Sequence, residues 1–547
     1  MVRPMSSGRR LRVLFFLGGP SFYQRQYASL IAELADRGHS VHLAFQRSKG
    51  DLPAAARPSG DRVTYGFAPE RERTDGWRTV AWMVRGLADL ARYAHPRFER
   101  ATLLRARMEE KIVGHLTKSD ELEPIGRRIA LRLAGRLTAG PDAALSERVI
   151  RACARLETAI PASARIVEFV RGQAPDVVLA TPVVNRASTQ VEFLKAARRL
   201  GIPAATCVAS WDNLSNKGLL KFMPERVFVW NEVQRREAVD LHGIPADRVV
   251  ATGAQLFDHW FAREPSSPRE EFVRAIGLDP ARPYVLYTCS NPAMTEVPES
   301  GFVHEWVGAL RASDDELLRG VGVAIRPHPN DEGQWDRFEA SRFENVVVWP
   351  RRGELPVTAE RQSDFFDSLV HCAAVVGINT TAMIEAAIVG KSVLTVLSPE
   401  FAQESTLHFD YLLAENGGFL HVADSLPEHA EQLRRALSGG TDDAERRRRF
   451  VEAFVRPHGL DRPAAPILAD AVEELATLPV ERRTPAAALV LRAPLALEAV
   501  LVSLAVRLGD LRRSRGRKAS RRRLRGLARP IIARVRRVGA ASPRSGG

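Results

Sequence analysis

Two short stretches decide how this chain is read: Arg326-Pro-His-Pro329, and Gly377-Ile-Asn-Thr-Thr381 with Glu385 four residues further on. Each follows an apolar run with the character of a buried strand, Val321 to Ile325 before the first and Ala373 to Ile378 before the second. In an open parallel sheet, ligands bind just beyond the carboxyl ends of strands. Both polar clusters are therefore expected at one crevice. Arg326 and His328 occupy alternate positions of a strand end and so face the same side. The guanidinium offers a fixed charge for phosphate, and the imidazole can donate to a leaving phosphate oxygen or act as general acid. Pro327 and Pro329 stiffen the turn that presents them. Asn379, Thr380 and Thr381 fall where a helix begins, and its unpaired N–H groups and dipole favour an anion. Thr381 and Glu385 share a helix face, which sets a hydroxyl near the phosphates and a carboxylate one turn deeper, within reach of a ribose diol. An ordinary N-cap and one exposed glutamate would use the same residues. The neighbouring Arg–His pair favours an anionic, sugar-bearing ligand.

Earlier in the chain, Val13 to Leu17 reads as a strand, Gly18-Gly-Pro-Ser21 as a turn, Tyr27 to Arg37 as a helix and Val41 to Phe45 as the next strand. This is a βαβ opening without G-x-G-x-x-G. Gly18 and Gly19 are phosphate-binding candidates there, with Gln24 and Arg25 beside them. Ser210-Trp-Asp-Asn213, with Asn216, Lys217 and Gly218, follows another strand in a polar loop. Asp212 is the candidate general base, or else a turn-former, as aspartate commonly is. Asn213, Lys217, Asn379 and His408 (in Thr406-Leu-His-Phe-Asp410) complete the candidate pocket. Thr252-Gly253 and Asp258 also follow a strand, where a plain turn suffices. There is no HExxH, G-x-S-x-G, P-loop or strand-end Asp-x-Asp, so neither a metal nor a bound cofactor is expected.

The 547 residues suit two α/β domains plus extra elements. The α/β rhythm gives a first domain over 11–262, a linker at 263–282 around Glu264-Pro-Ser-Ser-Pro268, and a second domain over 283–480. Within the first, about 77–171 is a helical insertion, because apolar residues there recur at three- and four-residue spacing without strands. Four scattered cysteines without a CxxC pair fit a reducing compartment. The net charge of +14 is local: from Leu511 onward there are thirteen Arg and one Lys with no acid, so residues 1–510 sum to about zero. The body is therefore not a basic nucleic-acid binder. No window offers about 18 uncharged apolar residues, so no membrane-spanning helix is expected. Instead Leu497, Val500, Leu501, Leu504, Leu508 and Leu511 keep helical spacing in an amphipathic helix over 485–511, followed by a basic tail over 512–547 without fixed structure. That pattern suits an anionic membrane surface, although an Arg-rich tail also binds RNA nonspecifically.

These residues resemble the GT-B glycosyltransferase superfamily, in particular CDP-glycerol glycerophosphotransferases and capsule-polymer transferases, with the non-hydrolysing UDP-GlcNAc 2-epimerases more distant. The resemblance rests on Arg326, His328 and Pro329, on Thr380, Thr381, Glu385, Gly390 and Lys391, and on Thr252, Gly253 and Asp258. It implies two Rossmann-like domains facing a cleft, with a nucleotide-activated donor on the second and the acceptor on the first. Glu385 would then bind ribose, Thr380 and Thr381 the phosphates, and Arg326 and His328 the diphosphate. The loop that often carries a histidine in glycerophosphotransferases reads Ser210-Trp-Asp-Asn213 here. The expected function is metal-independent transfer of a sugar to a cell-surface polymer or lipid-linked acceptor, at the cytoplasmic face of the membrane as a peripheral protein. Glycerol-phosphate transfer, sugar-nucleotide epimerisation and a non-enzymatic membrane or RNA tether are the alternatives.

Overall fold

The computed structural model describes residues 9–46, 57, 58, 60–118, 124–292, 297–331, 333–401, 403–440 and 443–512; the basic tail, apart from Arg512, lies outside them. The first sheet contains seven parallel strands: β1 (Arg12–Leu17), β2 (Ser40–Phe45), β3 (Val63–Phe67), β4 (Val177–Thr181), β5 (Ala204–Cys207), β6 (Arg226–Val229) and β7 (Val249–Ala251), in the order 3-2-1-4-5-6-7. The second contains six: β8 (Tyr284–Thr288), β9 (Gly322–Arg326), β10 (Val346–Val348), β11 (Ala374–Gly377), β12 (Ser392–Val396) and β13 (His421–Ala423), in the order 10-9-8-11-12-13. Strands β1, β4, β8, β9 and β11 are fully buried apart from Arg12, which is why they read as continuous apolar runs. In both sheets the order reverses beside the first strand, between β1 and β4 and between β8 and β11. Such switch points open the crevice that ligands use. Two Rossmann-like domains are thus present, as the sequence implied.

Edge strand β3 escaped the sequence reading because its residues are only half-buried and it carries Gly66. Two boundaries also move. The linker holds a helix, Arg269–Ala275, whose Phe272 and Val273 pack in the second domain's core. The Ala464–Leu475 helix, assigned to the second domain, returns to the first. Its Leu468, Val472 and Leu475 pack with Leu30, Ile31 and Leu34 against β1. Asp258 begins that return by accepting from the N–H groups of Ala464 and Ala465 at 2.9 and 2.8 Å, and Arg456 pairs with it at 3.3 Å.

The insertion is helical as expected: Trp77–Tyr93, Thr102–Lys118, Pro124–Leu137 and Ala143–Ala159 share an apolar core of their own. The next helix, Ala164–Gln173, belongs to the first sheet's layer. Buried charges lock the bundle to that layer. Arg85 donates to both oxygens of Glu157 at 2.8 and 2.7 Å and to Glu192 at 2.6 Å, while Lys195 reaches Glu157 at 2.7 Å. Arg73 joins Glu192 at 3.0 Å. Burial alone would raise the Glu157 pKa, yet Arg85 and Lys195 hold it down at about 2.

The last described element is a long helix, Ala486–Arg512, that lies on the bundle, with Arg492 Nε donating to the Ala159 carbonyl at 2.8 Å. Its Ala486–Ser503 stretch is long and apolar enough to cross a membrane, by length and composition alone, although it contains Arg492 and Glu498. The sequence reading, which required an uncharged window, had set that possibility aside.

Candidate active site

The carboxyl ends of both sheets face one cavity of about 390 Å³, within the range of small-ligand sites. Switch-point residues line it from both sides. Phe22, Arg25 and Gln26 follow β1, and Pro182 and Asn185 follow β4. Thr288 and Cys289 follow β8, and Asn379, Thr380 and Thr381 follow β11. Ser210 to Asn213 and Lys217 enter after β5, Arg326 to Pro329 after β9, and His408 from the loop after β12. Asp212, Asn213, Lys217, Arg326, His328, Asn379, Thr380, Thr381, Glu385 and His408 therefore meet here, whereas Gly18, Gly19 and Gln24 do not line the cavity and Asp258 lies elsewhere, at the return of the chain to the first domain. Gly18 and Gly19 lie after β1, but Phe22, Arg25 and Gln26, a few residues on, take their place.

Arg25 sits in a wide helical turn, Tyr23–Tyr27, a type of irregularity common at functional sites. Tyr27 pins the turn to the sheet, sharing a hydrogen bond with Thr181 Oγ1 at 3.1 Å. The Arg25 side chain is exposed and makes no hydrogen bond or ion pair with any described residue. Arg326, by contrast, is buried, donates to Asp364 at 3.1 Å and stacks over Phe365 at 4.8 Å. Part of its charge is already answered. Among the described cations that line the cavity, Arg25 is the one without an ion pair to a described residue.

Glu385 lies one turn into the Ala382–Ile388 helix, and its carboxylate accepts no hydrogen bond from a described residue. Desolvation raises its pKa to about 7 against the pull of Arg25 and Arg326. Gly377 sets this region close to β8, since a Cβ there would meet Thr288 Oγ1 at 2.8 Å. The N–H of Asn330 donates to His328 Nδ1 at 3.0 Å, leaving the ring proton on Nε2. Burial and Arg25 lower the His328 pKa to about 4, so near neutral pH it is an uncharged hydrogen-bond donor. In that form Nε2–H is available to donate to a phosphate oxygen.

The first domain's contribution is already paired. Asp212 bonds Lys217 at 3.0 Å and accepts from Asn213 Nδ2 at 3.3 Å. Burial works to raise its pKa, but Lys217, His408 and Ser210 outweigh it and hold the carboxyl well below the usual range. Several bonds close the cleft on this side. Trp211 Nε1 donates to Thr381 Oγ1 at 3.2 Å, Asn216 meets His408 Nδ1 at 2.6 Å, and Tyr411 donates to Glu237 at 2.6 Å. Asn379 Nδ2 donates to Thr406 Oγ1 at 3.0 Å and so steadies the loop that carries His408. Thr381 accepts from Trp211 and keeps its own proton to donate. Among the described residues no group of three or more His, Cys, Asp or Glu could hold a metal.

Two parallel sheets, each reversing order beside its first strand, present facing switch points across one cavity. The architecture is of the GT-B type. No protein-family model and no curated protein matches the sequence. Solved structures similar in outline include UDP-GlcNAc 2-epimerase from Methanocaldococcus jannaschii, at 10% identity and a TM-score of 0.47, covering 85% of this chain and 100% of that one. A glycosyltransferase from Rickettsia africae aligns at 10% identity and 0.47, covering 86% and 99%. The Anabaena HepE protein, in complex with UDP and glucose, aligns at 11% identity and 0.42, covering 86% and 100%. The GT-B-type arrangement follows from this chain's own strand orders and facing switch points.

Proposed function

We propose that the chain is a glycosyltransferase that takes a sugar from a nucleotide-activated donor and passes it to a polymer or lipid-linked acceptor. The observation that carries this reading is that one cavity is lined by Glu385, a half-buried carboxylate that accepts no hydrogen bond from a described residue, and by Arg25, an exposed cation that makes no ion pair with a described residue. A ribose diol satisfies the first and a diphosphate the second. In this reading the Thr380 and Thr381 hydroxyls and the start of their helix donate to the phosphates. Arg25, Arg326 and His328 Nε2–H stabilise the charge that grows on the leaving diphosphate, in the role a metal would otherwise take. The acceptor hydroxyl approaches from the first domain, where Asp212 is ionised and placed to take its proton. Paired with Lys217, Asp212 is a weak base; its proton affinity rises when Lys217 turns toward donor phosphate.

The terminal helix supports action at a membrane surface. Leu489, Val490, Leu497, Val500 and Leu501 stand exposed along it, and fourteen cations follow from Arg512 onward. An apolar helix face next to a polybasic run suits peripheral docking on an anionic, cytoplasmic-facing leaflet.

A thermal-shift screen of UDP, CDP and GDP on the wild type and Glu385→Ala tests the donor site. One nucleotide is expected to stabilise the wild type by several degrees and the variant little. Equal stabilisation of both would remove Glu385 from the site. Incubation of the matching nucleotide-sugar with and without acceptor then separates transfer from epimerisation, because an epimerase forms product without an acceptor.

A further inference from the structure

The helical bundle contains a second cavity, apart from the cleft. A space of about 510 Å³ opens between the Trp77–Tyr93, Pro124–Leu137, Ala143–Ala159 and Ala486–Arg512 helices, walled by Met83, Leu87, Leu133, Val149, Leu156 and Leu495. Only Arg148 and Glu498 bring charge to it. The space is an open groove with a volume in the range of ligand pockets. Of the seven most exposed large apolar side chains among the described residues, five belong to the terminal helix and a sixth, Ile129, lines this groove. Apolar exposure is thus concentrated at one place on the molecule.

We propose that this groove holds one hydrocarbon chain of a membrane lipid, with the lipid's phosphate at Arg148. Arg148 is exposed at the groove and has no described partner, so a lipid phosphate complements it. The cationic run that begins where the terminal helix ends draws anionic lipid to the same part of the chain. Gly76 shows how closely the terminal helix sits, because a Cβ there would fall 1.9 Å from the Ala499 carbonyl oxygen. The groove also connects mechanically to the cleft. The Trp77–Tyr93 helix that forms its wall accepts the Leu219 N–H on Asp89 at 2.8 Å and donates from Tyr93 Oη to the Lys217 carbonyl at 3.1 Å. The groove and the loop that carries Asp212 and Lys217 thus share the Trp77–Tyr93 helix as a common wall. This inference rests on the membrane reading of the terminal helix and not on the nucleotide site.

The test uses the full-length protein with vesicles of phosphatidylcholine and phosphatidylglycerol containing a phospholipid with a diazirine in one acyl chain. Sedimentation measures docking, and mass spectrometry maps the photoadducts. Adducts are expected on Met83, Leu133, Leu156 and Leu495. Ala152 lines the groove at a solvent-exposed position, so Ala152→Phe fills the space without burdening the core; Leu133→Trp is the second filling variant. Each should lower the groove adducts at least about tenfold, the scale on which apolar pockets discriminate by size, while sedimentation and nucleotide stabilisation stay unchanged. Sedimentation with adducts confined to Leu489, Val490, Leu497 and Val500 would overturn the groove and leave the docking. A dimer whose groove residues escape labelling would assign the surface to a second copy of the chain. Adducts that arise only after removal of residues 513–547 would assign it to the chain's own tail. Absence of both sedimentation and adducts would remove the membrane reading as well, with nucleotide binding still measurable on its own.

Discussion

Two sets of carboxylates in this molecule, one buried and one at the wall of the cleft, differ in their partners. At the junction of bundle and sheet, Glu157 and Glu192 are saturated by Arg85, Lys195 and Arg73, and Glu157 sits at a pKa of about 2. In the cleft, Glu385 has no donor and sits at about 7. Glu157 and Glu192 are the more deeply buried, yet Glu157 has the lower pKa, so burial alone does not set the difference. Partners do. A saturated carboxylate belongs to the architecture. One kept unsatisfied destabilises the empty protein and is explained by a ligand that brings the missing donors. Asp212 is intermediate, ionised and paired with a lysine that lines the same cavity.

The contrast can be broken by substitution. The largest effect is expected for Glu157→Ala, which strands Arg85 and Lys195 without one of their carboxylates. Chemical denaturation should show a loss of about 3–5 kcal/mol, as removal of one partner from a buried ion pair does. A loss below about 1 kcal/mol would mean that water reaches the junction. Next in size, Asp212→Asn should lower the transfer rate by roughly a hundredfold or more with little change in KM, in line with loss of a general base. An unchanged rate would make Asp212 a turn-former only.

Glu385→Gln should act in the opposite direction to Glu157→Ala. Its folded pKa of about 7 exceeds the ordinary value of 4.5. The wild type therefore loses stability as pH rises from 4.5 through 7, and the glutamine variant does not. Above pH 7 the variant should be more stable by about 2 kcal/mol, with the gain vanishing below pH 4.5; denaturation at pH 5 and pH 8 checks both sign and window. The smallest effect is expected for Trp211→Phe, which removes one hydrogen bond to Thr381 across the cleft. Stability should fall by about 1 kcal/mol, and scattering should show the two domains further apart on average.

The second-domain side of the cavity was legible in the sequence because its residues follow strands buried on both faces, whose apolar runs announce their own ends. Arg326, His328, Thr380, Thr381 and Glu385 were found that way. Arg25 ranked below the glycines before it because the wide turn that carries it into the cavity has no sequence signature. The Asp364 and Phe365 partners of Arg326 come from the Ala359–Val370 helix, far along the chain from strand β9, and sequence spacing does not reveal such pairings. The same holds for Lys217 on Asp212, which changes a presumed base into a restrained one. The return of Ala464–Leu475 to the first domain was hidden because a helix's apolar face shows that it packs, not which sheet it packs on.

The most direct measurement is calorimetric titration of the nucleotide selected by thermal shift, near pH 6.5 in two buffers of different ionisation enthalpy, for the wild type and Glu385→Gln. Diol donation to Glu385 favours its ionised form, so the wild type should release up to about three-quarters of a proton on binding at pH 6.5, bind more tightly as pH rises toward 7, and lose both behaviours on Glu385→Gln. Equal affinity and equal proton release in the two proteins would contradict the assignment of this cavity to a nucleotide held through Glu385.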